Sequence, residues 1–257
     1  MAINTNIRGK ESALLTSRAI LDIWGVRIDT GPATTQDLNL FSRLKPADPR
    51  YFSPSVDSVR MVLEDYPPEM IARSGLKVIK FADQLVLPAD TNHKYDYEVA
   101  GCVSLGAGII YLRTDPYPED TLHHETAHLF EEALPPRIQS QFYDRLGEIN
   151  DRYSIDYDPR NINLIYRPFG FVTPYAATDI SEEIPEILSL LMTGPYELYT
   201  MAENDPAMTA KIDLTFDFLD VTSNNALSGN WRRFKESCQP FRFLQVYNGF
   251  NRLVDTQ

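Results

Sequence analysis

The spacing of apolar residues changes several times along the N-terminal part of the chain. Residues 11–20 carry apolar side chains at helical spacing, and residues 21–28 follow with the pattern of a strand. Helical spacing returns over residues 55–72, with Pro67 and Pro68 inside that stretch. Because the residue before a proline disfavours helical geometry, the two prolines predict a break within this helical stretch.

Short strands are predicted in the next part of the chain. Residues 77–81 and 84–87 are short apolar segments, and the glycine-containing residues 101–108 lead into a strand at 109–113. Residues 44–54 are dense in turn formers and predict a boundary between an N-terminal piece and the rest. Since helices and strands come in mixed order without regular alternation, the pattern predicts an α+β fold.

Composition and charge narrow the range of partners. The chain of 257 residues has 43% apolar and 23% charged residues, as is usual for a globular protein. Acidic residues outnumber basic ones by 36 to 24, which gives a formal net charge of −12. Nucleic acids and anionic membranes favour Lys and Arg, so we expect neither as a partner.

Targeting signals are not visible in the sequence. No apolar stretch approaches the about 20 residues of a membrane helix, and the N-terminus lacks the apolar segment of a Sec signal. We therefore expect a protein that is cytoplasmic or exported by another route. Cys102 and Cys238 could pair or could be two buried thiols, and both alternatives stay open.

The strongest chemical signal is the segment His124-Glu-Thr-Ala-His128, which falls within a predicted helix. Pro118 suits the first turn of this helix, and the two acidic residues after it suit its positive N-terminal end. The two prolines that follow Leu134 predict that the helix ends there.

The spacing of the two histidines indicates a metal site. Residues four apart on a helix lie on one face, so His124 and His128 can both reach a single ion. Zinc lowers the pKa of a bound water to about 7, and a nearby carboxylate can take its proton during attack on a peptide carbonyl. Glu125 is placed for that task as general base. The alternative is a helix whose histidines serve packing, and His123, on another side, is not expected to be a ligand.

A catalytic zinc needs a third protein ligand and one position for water. The third histidine of the metzincin pattern is excluded, because Leu134 occupies its position. His93 lies upstream in a polar loop and is a weaker candidate than the acidic helix near residues 171–192. There Glu182 and Glu186 share one face, although acidic residues in a first turn also suit the helix dipole. The other face of that helix is apolar, with Ile184, Ile187, Leu188 and Leu191.

Together the two segments resemble the gluzincin peptidases, and among them the branch of anthrax lethal factor and the bacterial Pro-Pro endopeptidases. In that branch a tyrosine precedes the zinc-binding glutamate by seven residues, in a pattern close to S-x-Y-A-x-x-N-x-x-E-D-x-A-E. Tyr175 and Glu182 have this spacing, Ala176 matches, and Glu186 falls on the last glutamate. The resemblance implies that Glu182 is the third zinc ligand and that the Tyr175 hydroxyl stabilises the oxyanion.

Some positions depart from that pattern. The departures are Thr173, Pro174, Asp179, Glu183 and Pro185. A proline inside a helix removes a backbone hydrogen bond unless it lies in the first turn. The helix could therefore begin as late as Ser181, which leaves Glu182, Glu183 and Glu186 as alternatives for the third ligand.

The resemblance covers about residues 59–221 and implies a zincin-like metallopeptidase core with an active-site helix and a glutamate helix. It also implies that the strand at 109–113 is the edge strand that pairs with an extended peptide substrate. The chain is thus divided into an N-terminal extension at 1–50, a catalytic core at 51–222, and a C-terminal segment at 223–257 that packs on the core.

The sequence predicts a zinc-dependent peptidase that acts on a peptide or protein substrate. Two alternatives remain open: a catalytically silent zinc-binding or interaction domain, and an amidase that acts on something other than peptides. Glu125 and Tyr175 argue against the silent domain, because neither side chain is needed merely to hold zinc. The substrate itself is not determined, since a fold does not specify one.

Overall fold

The structure is a computed structural model that describes residues 3–48, 52–89, 95–114, 119–158, 160 and 167–224. Pro118, His93, Cys238 and most of the segment 223–257 lie outside the described residues. The chain divides into two compact units, residues 1–139 and residues 140–257. Within the described residues, no helix is both long and apolar enough to cross a bilayer.

The first unit begins with helix α1 (Ile3–Trp24), which is longer than the pattern predicted. Its buried face includes Ile20 and Trp24, so the predicted strand at 21–28 is wrong over its first part. The helix ends at Gly25, whose φ of 72° lies in the left-handed region that glycine adopts most easily. Strand β1 (Arg27–Asp29) follows after one further residue.

The next helices confirm the break at the paired prolines. Helix α2 (Thr35–Leu40) is short, and α3 (Phe52–Glu64) ends before Pro67. Helix α4 (Pro68–Ser74) begins on the second proline, where the missing N–H costs no helical hydrogen bond.

A mixed sheet lies in the first unit, and its described residues form six strands. After β1 these are β2 (Arg43–Pro46), β3 (Val78–Leu87), β4 (Tyr97–Glu98), β5 (Gly101–Ser104) and β6 (Ile109–Arg113). The main path of the sheet is β1-β3-β6-β5, while β2 and β4 pair antiparallel with the second half of β3. The pairs β1/β3 and β3/β6 are parallel. The predicted gap at 82–83 does not exist, because β3 runs through it. The mixed architecture confirms the α+β prediction.

The expected position of the edge strand was wrong. Strand β6 pairs on one side with β3 and on the other side with β5, so β5 ends the path of the sheet among the strands that the structure describes. A tight turn at residues 105–108 folds β5 back onto β6, and the N–H of Gly108 donates to the carbonyl of Ser104 at 2.9 Å. The short segment Gly101–Ser104 carries no strong apolar alternation, which is why the pattern did not predict a strand there.

Helix α5 (Glu119–Glu132) follows the sheet and carries the histidine motif. Helix α6 (Pro136–Tyr153) begins in the last residues of the first unit and continues into the second. In the second unit a 3₁₀ turn (Ile180–Glu182) leads into α7 (Glu183–Thr193), and α8 (Pro195–Ala202) and α9 (Pro206–Thr222) follow.

The core of the second unit confirms the apolar stripe predicted for the acidic helix. Each of its members is at most 1% exposed: Ile184, Ile187, Leu188 and Leu191. Burying side chains of this size stabilises a fold by about 1.5–3 kcal/mol each. The stripe therefore fixes which face of α7 points inward.

Candidate metal centre

Helix α5 carries several buried titratable side chains. It ends at Glu132, two residues before the predicted end at Leu134. His124 is 8% exposed and Glu125 is 7% exposed, so these two side chains are held in a nearly dry environment. A buried polar group is costly unless it has a partner, so the neighbours of these side chains matter for the stability of the helix.

The two motif histidines converge on one point. Their Nε2 atoms lie 3.1 Å apart, and their rings meet edge to face with centroids 4.8 Å apart. Two nitrogens that bind one tetrahedral zinc at about 2.0–2.1 Å lie about 3.4 Å from each other. The pair therefore needs little movement to bind a common ion, as the i, i+4 spacing predicted.

His128 also has a buried carboxylate as a neighbour, which was not predicted from the sequence. Its Nδ1 lies 3.6 Å from Oε2 of Glu131, a carboxylate that is only 5% exposed. A carboxylate on this side of the ring favours the tautomer that leaves Nε2 available to a metal. The sequence does contain a sign of this contact, because an acidic residue three positions after the second histidine lies on the same helical face.

His123 is turned away from this pair and toward the core. Its Nδ1 lies 2.7 Å from the hydroxyl of Tyr66, and both residues are 2% exposed. Burial lowers the pKa of His123 to about 3, so its ring is neutral at physiological pH. The side chain supports the packing of α5.

Strand β5 passes very close to the motif helix. A Cβ on Gly101 would lie 2.3 Å from Cγ2 of Thr121 and 3.1 Å from Oε1 of Glu125. The first distance is too short for any side chain, so glycine is what permits this approach. As a result the Glu125 carboxylate lies against the last strand of the sheet. The next residue is Cys102, and burial followed by the charge of Glu125 raises the pKa of its thiol to about 12.

The acidic segment of the second unit begins as a 3₁₀ turn. Asp179 accepts a hydrogen bond from the N–H of Ser181 at 2.9 Å and caps that turn. Helix α7 starts at Glu183, so Pro185 lies in its first turn, where a missing N–H breaks no helical hydrogen bond. The departure from the family pattern at Pro185 is thus accommodated.

The three glutamates of this segment have different surroundings. Glu183 is 1% exposed, and its Oε2 lies 2.5 Å from Nζ of the equally buried Lys211. Glu186 accepts a hydrogen bond from the Thr173 hydroxyl at 2.6 Å. Glu182 is half-buried at the end of the 3₁₀ turn.

Glu182 is also the glutamate that joins the histidines in a possible metal site. His124, His128 and Glu182 each offer one ligand atom, and these atoms lie within 4.8 Å of one another. Two imidazole nitrogens and one carboxylate oxygen are a donor set that zinc accepts in catalytic sites. The residues present therefore fit a zinc ion.

Tyr175 is 40% exposed and lies in a turn. Its carbonyl accepts hydrogen bonds from the N–H of Thr178 at 2.9 Å and from the hydroxyl of Thr178 at 2.7 Å. The turn also includes Thr173, whose hydroxyl accepts from the N–H of Ala176 at 3.0 Å. The backbone on both sides of Tyr175 is thereby held, and the role of its hydroxyl stays a prediction.

Comparison with known proteins gives one informative likeness. The sequence matches no protein-family model and no curated protein. Its structure is similar to the crystal structure of a “putative zinc-binding metallo-peptidase” from Bacteroides caccae, with a TM-score of 0.51 and 14% sequence identity. The match covers 90% of this chain and 94% of the other. At this identity the likeness shows that the two chains share a fold.

Proposed function

We propose that this chain is a zinc-dependent peptidase of the gluzincin type, with zinc held by His124, His128 and Glu182. The observation that carries the proposal is the His-His-Glu group, whose ligand atoms lie within 4.8 Å of one another. The Bacteroides caccae protein with the similar fold supports it, because its description names zinc binding and peptidase character. The resemblance of the two sequence segments to the gluzincins points the same way.

The proposed chemistry is hydrolysis of a peptide bond by water. Zinc, when bound, polarises the scissile carbonyl and makes water a better nucleophile near neutral pH. Glu125 takes a proton from the attacking water and later delivers it to the leaving amine. Its burial and its place next to Gly101 keep the carboxylate close to the edge of the sheet. The Tyr175 hydroxyl is proposed to donate a hydrogen bond to the oxyanion.

The sheet can bind a substrate that is an extended peptide. Because β5 ends the path of the sheet, its backbone rather than that of β6 is proposed to pair with the substrate. Pairing there would bring a substrate strand past Gly101 and hence past Glu125.

Metal analysis tests the metal site. Purified protein is expected to hold one zinc per chain, and His128→Ala is expected to lose it in mild chelator. His93→Ala is the control, since His93 is the weaker candidate for the third ligand, and it should retain zinc. Stoichiometric zinc in His128→Ala would refute the proposed site.

A peptide-library digest read by mass spectrometry tests the activity. Glu125→Gln is expected to keep fold and zinc and to lose hydrolysis by a factor of about 100 or more, the scale of a positioned general base. Glu132→Gln, an exposed residue at the end of the same helix, is the control and should retain activity. Zinc binding without cleavage of any peptide would favour the silent domain or the non-peptide amidase.

A further inference from the structure

The second unit contains a buried polar cluster, formed by Asn150, Tyr157, Glu183 and Lys211, that the proposed mechanism does not use. Lys211 is 0% exposed and Glu183 is 1% exposed, and their charged atoms lie 2.5 Å apart. The other oxygen of Glu183 accepts hydrogen bonds from the Tyr157 hydroxyl and from Nδ2 of Asn150, the latter at 3.0 Å. Charge-assisted hydrogen bonds of this kind are shorter and stronger than neutral ones, so they hold the Glu183 carboxylate in a defined place.

The partners of Glu183 come from separate parts of the unit. Asn150 belongs to α6 and Lys211 belongs to α9, while Glu183 is the first residue of α7. Lys211 also donates to the carbonyl of Gly170 at 2.9 Å, and its ammonium lies 4.2 Å from the ring centroid of Phe171. The cluster therefore ties the start of α7 to two other helices and to the loop before it.

The start of α7 is the place where the direction of Glu182 is decided. The N–H of Glu182 bonds to the carbonyl of Asp179, and the N–H of Glu183 bonds to that of Ile180, as in a 3₁₀ turn. The backbone changes from 3₁₀ to α geometry at this junction. The direction of the Glu182 side chain is therefore not fixed by a continuous α-helix. Successive side chains on a helix diverge by about 100°, so anchoring Glu183 inward sets where Glu182 points.

We propose that the Glu183–Lys211 ion pair is a positioning element that directs Glu182 toward the metal; this rests on the function proposed above. The pair touches neither substrate nor metal, and it acts through the backbone that it shares with the ligand. It also accounts for the choice among the three glutamates, since Glu183 is held inward and Glu186 bonds to Thr173 at the next turn.

The first unit supplies a matched control. Lys80 is 3% exposed and lies 2.7 Å from the buried carboxylate of Asp37, so Lys80→Met removes the same kind of buried pair. Lys211→Met is expected to weaken zinc binding about 10- to 100-fold, and Lys80→Met is expected to change it by less than about threefold. Zinc affinity is measured by competition with a chelator, on protein whose fold is verified by circular dichroism.

The direction of the change separates positioning from simple electrostatics. Removing a positive charge near a cation would strengthen zinc binding, so tighter binding by Lys211→Met would overturn the proposal. The absorption spectrum of the cobalt-substituted protein gives a second readout, because it reports ligand geometry. We expect it to change in Lys211→Met and to stay unchanged in Lys80→Met. Equal effects of the two variants, or no effect of either, would overturn the positioning role.

Milder variants cover the case in which a lysine replacement does not fold. Glu183→Gln keeps the shape of the side chain, and Asp37→Asn is its control; the first should weaken zinc binding and alter the cobalt spectrum, while the second should do neither. Glu182→Ala separates a failure of the proposed ligand set from a failure of the positioning role. If it binds zinc as the unaltered protein does, the proposed ligand set fails and the positioning role fails with it. If Glu182→Ala loses zinc but the variants at Lys211 and Glu183 do not, only the positioning role fails.

Discussion

Each unit of this protein buries a lysine against a carboxylate and a tyrosine hydroxyl, but the two carboxylates belong to different settings. In the first unit Lys80 lies 2.7 Å from Asp37, which closes the capping box of the short helix α2 with Thr34. In the second unit Lys211 lies 2.5 Å from Glu183, which follows the proposed ligand Glu182 directly. The chemistry of the two clusters is nearly the same.

The difference shows that a buried ion pair has no role that can be read from its chemistry alone. A buried pair gives little net stability over an apolar replacement, because desolvation of both charges offsets their attraction. We propose that such a pair instead defines the geometry of the backbone that carries it. At Asp37 that backbone is a helix cap, whereas at Glu183 it is the segment that carries the proposed ligand Glu182.

The largest effect is expected when either lysine is removed. Lys80→Met and Lys211→Met each leave a carboxylate buried without its cation, which costs about 3–5 kcal/mol of unfolding free energy. Urea unfolding of the two variants measures this. A loss below about 1 kcal/mol in either one would mean that water reaches that carboxylate and that the two clusters are not comparable.

The tyrosine in each buried cluster tests the comparison of the two clusters with a smaller expected loss of stability. Tyr111 donates to Asp37 at 2.8 Å, and Tyr157 donates to Glu183. Replacing either by Phe removes a hydrogen bond to a charged group and should lower stability by about 1.5–3 kcal/mol. Chelator competition on the same proteins should show weaker zinc binding for Tyr157→Phe alone. If Tyr111→Phe weakens zinc binding equally, the effect is not specific to the second cluster.

Acid should weaken the first cluster over a defined pH range. Burial raises the pKa of Asp37, but four hydrogen bonds lower it by more, so that the pKa falls to about 2. These hydrogen bonds come from Lys80, the Thr34 backbone, Tyr111 and the Thr34 side chain. Because the folded pKa lies below the unfolded value of about 3.9, the carboxylate stabilises the fold by about 2 kcal/mol above that pH. This contribution should be lost as the pH falls from about 4 to 2.

Unfolding free energies measured across this range, for the unaltered protein and for Asp37→Asn, test the assignment. The unaltered protein should lose more stability than the variant, since the amide cannot titrate. Parallel pH profiles for the two proteins would assign the acid sensitivity to other carboxylates.

The smallest effects are expected at the two caps. Thr34→Ala removes the cap of α2, and Asp179→Ala removes the cap of the 3₁₀ turn that contains Glu182. Each should cost about 1 kcal/mol, as is usual for an N-cap. Thermal unfolding measures the cost, and chelator competition should again show weaker zinc binding in the second variant alone. Unchanged zinc binding by Asp179→Ala would mean that the cap does not influence Glu182.

Much of the fold was predictable where the signal is local. The two helices around the paired prolines and the strand Ile109–Arg113 follow from spacing and from proline geometry. The strand predicted at 21–28 was partly wrong, because burial of Ile20 and Trp24 extends α1 through Trp24. Strand β5 was missed, because its place in the sheet depends on a tight turn and on close approach to α5 rather than on its own pattern.

The sequence by itself determined the pairing of His124 with His128, because four residues along a helix bring two side chains to one face regardless of the rest of the fold. It also determined the apolar stripe of α7. It left three glutamates as alternatives, since adjacent carboxylates are chemically equal until their surroundings differ. Only the tertiary structure gave them different surroundings, by placing Lys211 next to Glu183 and Thr173 next to Glu186. Contacts between residues so far apart in the chain are made by packing, and no local pattern encodes them.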